Sequence, residues 1–202
     1  MLITHIIMAI NVVIFILMVS IGGASSITDP SIHLLLSFGA SSSSYVFEGG
    51  EIWRLLASNY IHIGLPHLLF NMWCLYSIGE ALEYYMGSIF FVIIYTASGI
   101  IGSLASCLYY FNSYRSIVSA GASGAVFGIA GALLVTTIYL RMKYGKSEFN
   151  FDYSSIIFFI GFNIVYGLNM PGIDNACHMG GLFSGMLLGL LFSFVRDTIL
   201  NS

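Results

Sequence analysis

Six long apolar runs dominate this 202-residue chain. They lie at 2–21, 65–85, 88–111, 119–141, 154–170 and 177–196. A helix needs about 20 apolar residues to cross the hydrocarbon core of a bilayer. The runs therefore predict an all-α membrane protein, a bundle of six transmembrane helices. The fifth run is short and is interrupted by Gly161 and Asn163, so we expect that helix to be tilted or to lie where the bilayer is thin.

The composition supports lipid as the main solvent of the chain. Charged residues make up 7% of the sequence and hydrophobic residues 58%, whereas soluble domains carry about 25% charged residues. The net charge is −3 and no basic tract is present, which argues against nucleic acid as a partner. We expect one domain over 1–202, without an added soluble domain, and a first run that is retained as a helix rather than removed as a signal peptide.

The longest stretch outside the apolar runs covers 22–64. It contains the serine run 41–44, then Trp53 and Arg54, and is too apolar for a disordered linker. We expect a partly structured first loop at the membrane interface, with Trp53 placed as interfacial aromatic residues usually are. A plain solvent-exposed loop is the alternative.

The basic residues predict how the bundle is oriented. With six spans both termini share a side, and four basic residues fall on that side: Arg141, Lys143, Lys146 and Arg196. Two fall on the opposite side: Arg54 and Arg115. The positive-inside rule then predicts cytoplasmic termini in a cell membrane. The outer ends of spans four and six carry Ser123 and His178, at matching depth.

Ser123 and His178 are a candidate nucleophile and general base. Serine is a poor nucleophile until a base removes its proton, and His178 is the one histidine in the C-terminal half. Backbone N–H groups at the start of a helix lack intrahelical partners and can stabilise an oxyanion. Each residue alone has an ordinary alternative, a helix-capping serine and a histidine bonded to a carbonyl.

Small residues predict that the two helices pack closely. Span four carries Gly121, Gly124, Gly128 and Gly131. Span six carries His178, Gly181, Gly185 and Gly189 at steps of three, four and four. Such rows let helix backbones approach each other, which would bring the serine and the histidine together, although the same rows also occur in ordinary helix packing. Phe127, one turn after Ser123, could stack on the imidazole or face lipid or the core.

Span two supplies further polar groups. His67 and Asn71 share a helix face, Pro66 suits the first turn, and His62 precedes the helix. Both side chains on that face can donate hydrogen bonds to an oxyanion. A metal site is the competing interpretation, but asparagine is a poor zinc ligand and no glutamate lies between the two residues. We therefore expect neither a metal nor a cofactor.

Other protease chemistries fit the sequence less well. An aspartic mechanism needs two carboxylates at depth, but Asp174 lies in a loop and Glu80 and Glu83 lie at the cytoplasmic end of span two. Asp174, four residues before His178, is the available acid for a triad. A serine–histidine dyad is the simpler interpretation. The cysteines are interpreted as small apolar fillers: Cys74, Cys107 and Cys177.

An ordered set of these residues resembles the rhomboid family of intramembrane serine proteases over nearly the whole chain. The set comprises Trp53-Arg54, His62, His67, Asn71, Glu83, Gly87, Gly121-Ala122-Ser123-Gly124, and Asn175-Ala176-Cys177-His178 with Gly181 and Gly185. The resemblance implies a six-helix bundle around a water-filled cavity open to the outer side. It also implies Ser123 as nucleophile, His178 as base, and His67 and Asn71 as oxyanion donors with the Ser123 N–H. Phe127 falls where the family usually has an aromatic residue, commonly tyrosine.

The expected function is cleavage of single-span membrane proteins near the outer face of the bilayer. A non-catalytic relative that binds transmembrane helices is the alternative, and it would be marked by loss of the serine or the histidine. A transporter would distribute polar groups across the membrane, often in repeated halves. Here the polar groups gather at one side and no repeat occurs. The sequence leaves the substrate and the oligomeric state open.

Overall fold

The computed structural model describes residues 1–111, 117–145 and 152–200. Nine α-helices are found in these ranges: α1 Leu2–Gly22, α2 Ile32–Phe38, α3 Arg54–Ala57, α4 Leu65–Cys74, α5 Glu80–Met86, α6 Ser88–Tyr110, α7 Ser123–Tyr144, α8 Ser154–Asn169 and α9 Asn175–Leu200. Four short 3-10 or π segments join them: Ala24–Ile27, Ser44–Glu48, Ser58–Tyr60 and Leu75–Gly79. Over the same ranges, extended pairing is limited to an isolated bridge between Ser41 and Ser119.

The predicted all-α membrane fold is confirmed. Four helices are long and apolar enough to cross a bilayer, namely α1, α6, α7 and the part of α9 from Asn175 to Arg196. The second predicted span is helical from Leu65 to Met86, but a π segment separates α4 from α5. The fifth is α8, an apolar helix of 16 residues, about 24 Å long at 1.5 Å per residue.

The fifth span is short, as expected, and its helix is continuous. Helix α8 runs through both Gly161 and Asn163. A side chain at Gly161 would meet open space, and the Asn163 amide donates to the Phe159 carbonyl of its own helix. An asparagine bonded in this way is compatible with a regular helix.

Helix α7 lies at the centre of the bundle. Of its most apolar window 67% is buried, against 28% for α1 and 33% for α9. It packs on α9 and α6 through residues without bulk. A side chain at Gly181 would collide with the Gly124 carbonyl, and one at Gly185 with the Gly128 carbonyl. The backbones are therefore in direct contact, and dispersion between closely packed atoms holds the helices together in lipid.

One member of the predicted glycine row lies outside it. Gly121 precedes α7 and has φ +133°, a conformation that favours glycine. A side chain there would strike the ring of His67 rather than a residue of α9. The packing row of α7 therefore consists of Gly124, Gly128 and Gly131.

Glu83 ties α1 to the rest of the bundle. Its carboxylate accepts hydrogen bonds from the N–H groups of Ile3 and Thr4, from the Thr4 hydroxyl and from the Ser88 hydroxyl. Helix α1 has no acidic residue in its own first turn, so Glu83 supplies the negative charge that a helix N-terminus favours.

The first loop is folded around Arg54. This side chain is 6% exposed, and its guanidinium donates to the carbonyls of Leu36 and Ala40 and to the Glu51 carboxylate. The rings of Tyr45 and Trp53 lie 4.4 and 4.7 Å from it. Trp53 is 51% exposed on its other side. The loop is therefore partly structured, as expected, and its location at the membrane interface stays a prediction.

A single methyl group tests the glycine contact. Gly185→Ala should lower the free energy of unfolding by about 2 kcal/mol or more, because the backbones of α7 and α9 must separate. Gly161→Ala is the matched control, since a side chain there meets nothing within 4 Å. Thermal denaturation in detergent measures both, and equal Tm values for the two variants would contradict the contact.

Candidate active site

Ser123 and His178 lie side by side. Ser123 is the first residue of α7, and His178 lies in the first turn of α9. Their Oγ and Nε2 atoms are 2.9 Å apart. The Gly124–Gly181 contact, one residue beyond the serine and three beyond the histidine, holds the two helix ends together. A hydroxyl at this distance can pass its proton to the imidazole, provided that Nε2 carries the lone pair.

Phe127 stacks on the His178 ring. The ring centroids are 4.3 Å apart, the planes differ by 7°, and Phe127 is 2% exposed. Its other neighbour is Phe159 of α8, at 5.6 Å. Phe127 therefore stacks on the imidazole and does not face lipid. This contact restricts rotation of His178, whose Nδ1 is buried and has no protein hydrogen-bond partner among the described residues.

The segment before Ser123 is held by backbone hydrogen bonds. Ser119 and Ser41 exchange N–H···O bonds of 2.8 and 2.9 Å, and the Gly121 N–H donates to the Ser58 carbonyl at 2.9 Å. These bonds join the first loop to the residues that lead into α7. Ser123 therefore begins the helix at a fixed position, and the first N–H groups of α7 have no carbonyl of their own helix to bond.

His67 and Asn71 face the same space. Pro66 lies at the start of α4, and both residues line one cavity together with Ser123 and His178. The Ile63 N–H points at His67 Nδ1 at 3.4 Å, which makes Nδ1 the acceptor and leaves the ring proton on Nε2. Asn71 uses one amide hydrogen on the His67 carbonyl at 3.0 Å and keeps the other. Each side chain thus has a donor available for an oxyanion.

His62 packs beside His67. It is fully buried, its ring lies 5.2 Å from that of His67, and neither of its nitrogens has a hydrogen-bond partner within the described part of the chain. It does not line the cavity. Asn175 is also separate from the dyad, since its Oδ1 lies against Gly167 of α8. Gly124, Gly181 and Gly185 act through helix packing.

The Asp174 carboxylate is not bonded to the His178 imidazole. One carboxylate oxygen accepts from the Ser106 and Ser119 hydroxyls at 2.5 and 2.7 Å, and the other accepts from the Cys177 N–H at 3.0 Å. Its backbone carbonyl accepts from the His178 N–H. Sequence reasoning considered the aspartate as a triad acid and missed both serines. Their separations of 68 and 55 residues from Asp174 follow no sequence pattern.

A cavity of about 1310 Å³ opens beside the dyad. Helix α8 forms part of its wall through four side chains: Phe159, Phe162, Asn163 and Tyr166. Over residues 1–111, 117–145 and 152–200, no group of three or more His, Cys, Asp or Glu is arranged to hold a metal ion. The cavity brings together the hydroxyl of Ser123, the imidazole of His178 and the hydrogen-bond donors of His67 and Asn71.

Comparison with known proteins identifies the family. A model of the Rhomboid domain matches residues 49–194, which include every residue of the site. The chain belongs to the rhomboid family. The fold and the family thus agree with the resemblance drawn from the sequence. Two relatives, described next, are named as proteases.

Two bacterial relatives and a plant relative illustrate the match. Over 90% of its length the chain is 40% identical to rhomboid protease GluP of Bacillus subtilis. Over 70% it is 32% identical to the putative rhomboid protease YdcA of the same organism. It is also 39% identical over 81% of its length to RHOMBOID-like protein 1 of Arabidopsis thaliana. The matched part is 33% of GluP, 40% of the plant protein and 68% of YdcA.

The stacked ring gives a testable prediction. Phe127→Leu should slow covalent labelling of Ser123 by a fluorophosphonate about tenfold, because the imidazole gains rotational freedom. Phe127→Tyr keeps the ring and should label within about twofold of the parent. Labelling rates are compared at equal concentrations of folded protein. A leucine variant that labels as fast as the tyrosine variant would contradict a role for stacking.

Proposed function

We propose that this rhomboid-family chain is an intramembrane serine endopeptidase that cleaves transmembrane helices near the outer face of the membrane. Ser123 is the nucleophile and His178 the general base. The observation that carries the proposal is the 2.9 Å contact between Ser123 Oγ and His178 Nε2. A nucleophile and a base within hydrogen-bond reach are the minimal requirement for acyl transfer.

The first half of the reaction forms an acyl-enzyme. His178 Nε2 removes the hydroxyl proton as Ser123 Oγ attacks the substrate carbonyl carbon. The resulting oxyanion lies among the Ser123 N–H, the His67 ring N–H and the free amide hydrogen of Asn71. The protonated imidazole then gives its proton to the departing amine, and the peptide C–N bond breaks.

The second half releases the acid product. Water from the cavity gives a proton to His178 and attacks the ester carbonyl. The protonated His178 then returns that proton to Ser123 Oγ as the C–O bond breaks, which restores the serine hydroxyl. Phe127 holds the imidazole plane through both steps. The reaction needs no group beyond the dyad, the oxyanion donors and water.

Substrate reaches the site between α4 and α8 in this proposal. Both helices contribute to the cavity wall, and α8 has one fully buried residue, Ile156, so it packs loosely. A transmembrane helix hides its carbonyls in its own hydrogen bonds. The cleaved segment must therefore unwind, and the polar groups around Ser123 replace the bonds that it loses.

The membrane orientation rests on the basic residues. Arg141 and Lys143 lie in the last turn of α7, and Arg196 lies towards the end of α9, at the helix ends opposite Ser123 and His178. This placement favours a cell-membrane protein with both termini in the cytoplasm. Lys146 and Arg115, which also entered the count, lie outside the described residues. We treat 1–202 as one domain that contacts lipid and single-span substrates.

The alternative, a non-catalytic binder of transmembrane helices, has less support. Such a protein needs the cavity but has no use for a serine and a histidine in contact, for a ring that orients the imidazole or for unpaired donors beside it. All three features occur at this site.

Cleavage of a model single-span substrate in liposomes tests the proposal. Ser123→Ala and His178→Ala should each lower kcat about 10³-fold or more, since each removes one partner of the dyad. Ser184→Ala is the matched control, because among the described residues the Ser184 hydroxyl bonds to carbonyls of its own helix, Gly180 and Gly181. Its kcat should stay within about twofold of the parent. Cleavage at the parent's rate by either dyad variant would contradict the proposal.

A further inference from the structure

The Asp174 carboxylate joins three separate parts of the chain. Oδ2 accepts from Ser106 on α6 and from Ser119 on the segment that leads into α7. Oδ1 accepts from the Cys177 N–H in the first turn of α9. An ionised carboxylate is well suited to such a position, because it accepts through both oxygens and its hydrogen bonds are strengthened by charge.

Two of these bonds end on residues that lie close in sequence to the two members of the dyad. Ser119 lies four residues before Ser123, and Cys177 is the residue before His178. The Asp174 carbonyl also accepts from the His178 N–H at 3.1 Å. One oxygen thus holds the segment of the nucleophile and the other holds the helix of the base, by 2.7 and 3.0 Å contacts.

We propose that Asp174 is a positioning residue, whose carboxylate sets the separation of Ser123 and His178 by clamping the 117–122 segment to the start of α9. The inference rests on the proposed protease function. Asp174 is not the third member of a triad, since its side chain bonds to hydroxyls and a backbone N–H rather than to the imidazole.

The clamp acts where the glycine contact ends. The α7–α9 packing holds the helix bodies from Gly124 and Gly181 inward, but Ser123 is the outermost residue of α7 and its position also depends on the preceding segment. The bridge to Ser41 joins that segment to the first loop. Among the described residues, the hydrogen bonds of the Asp174 carboxylate link the 117–122 segment to the start of α9.

Three variants of the clamp separate positioning from stability. Asp174→Ala removes all three side-chain bonds. Asp174→Asn keeps the shape, because its oxygen can accept from Cys177 while its NH₂ donates to the two hydroxyls, which can also accept. Ser119→Ala removes the bond to the nucleophile's segment. Ser106→Ala is its matched control, since it removes a bond to the same Oδ2 but on α6.

The readouts are kcat and KM for a model transmembrane substrate in liposomes, and Tm in detergent. We expect Asp174→Ala to lower kcat about 100-fold with KM within about threefold, because a small misplacement of reacting groups is that costly. Asp174→Asn should recover kcat to within about tenfold of the parent. Ser119→Ala should lower kcat at least about threefold more than Ser106→Ala, whatever their Tm values.

Opposite results would overturn the positioning role. They are a kcat for Asp174→Ala that falls only in proportion to the folded fraction, an asparagine variant as inactive as the alanine variant, or Ser119→Ala and Ser106→Ala with equal kcat. If Asp174→Ala does not fold, the asparagine variant and the serine pair still decide the question. Failure of the protease function itself gives a different pattern, a parent protein no more active than Ser123→Ala.

Discussion

Direct contact between the backbones of α7 and α9 is the constraint on which the site depends. In lipid, apolar side chains gain little by leaving their surroundings, so helices associate through close packing. Gly124 and Gly128 meet Gly181 and Gly185 with no space for a side chain. Because this contact begins one residue after Ser123 and three after His178, it also fixes the approach of the hydroxyl to the imidazole. The helix pair that packs most closely, α7 and α9, therefore also carries Ser123 and His178.

Two groups of hydrogen-bonded polar residues lie apart in the bundle. Glu83 and Thr4 lie where α1, α5 and α6 meet, and the Glu83 carboxylate accepts from the N–H groups of Ile3 and Thr4 at the start of α1. Ser123, His178 and Asp174 lie at the other end of α7, beside the cavity. Between the ends, most buried residues of α7 are glycine, alanine or aliphatic, with Thr136 and Thr137 as the polar ones.

The sequence predicted what depends on periodicity and motif, and missed what depends on contacts between distant residues. Apolar runs identify the helices, and glycine steps of three and four indicate which faces meet. Gly121 was assigned to that face wrongly, since its role depends on φ and on the His67 ring. The bonds of Asp174 to Ser106 and Ser119 join residues without a shared period. The π segment that divides the second span was also missed, because Leu75–Gly79 reads as an ordinary apolar helix.

The central claim is that His178 activates the Ser123 hydroxyl. Mass spectrometry of the protein after treatment with a fluorophosphonate tests it most directly, because the reagent forms a covalent bond only with an activated serine. The account predicts one adduct, on the peptide that contains Ser123, and its loss in His178→Ala protein whose Tm matches that of the parent. An adduct of equal yield in the His178→Ala protein, or one on a different serine, would contradict the account.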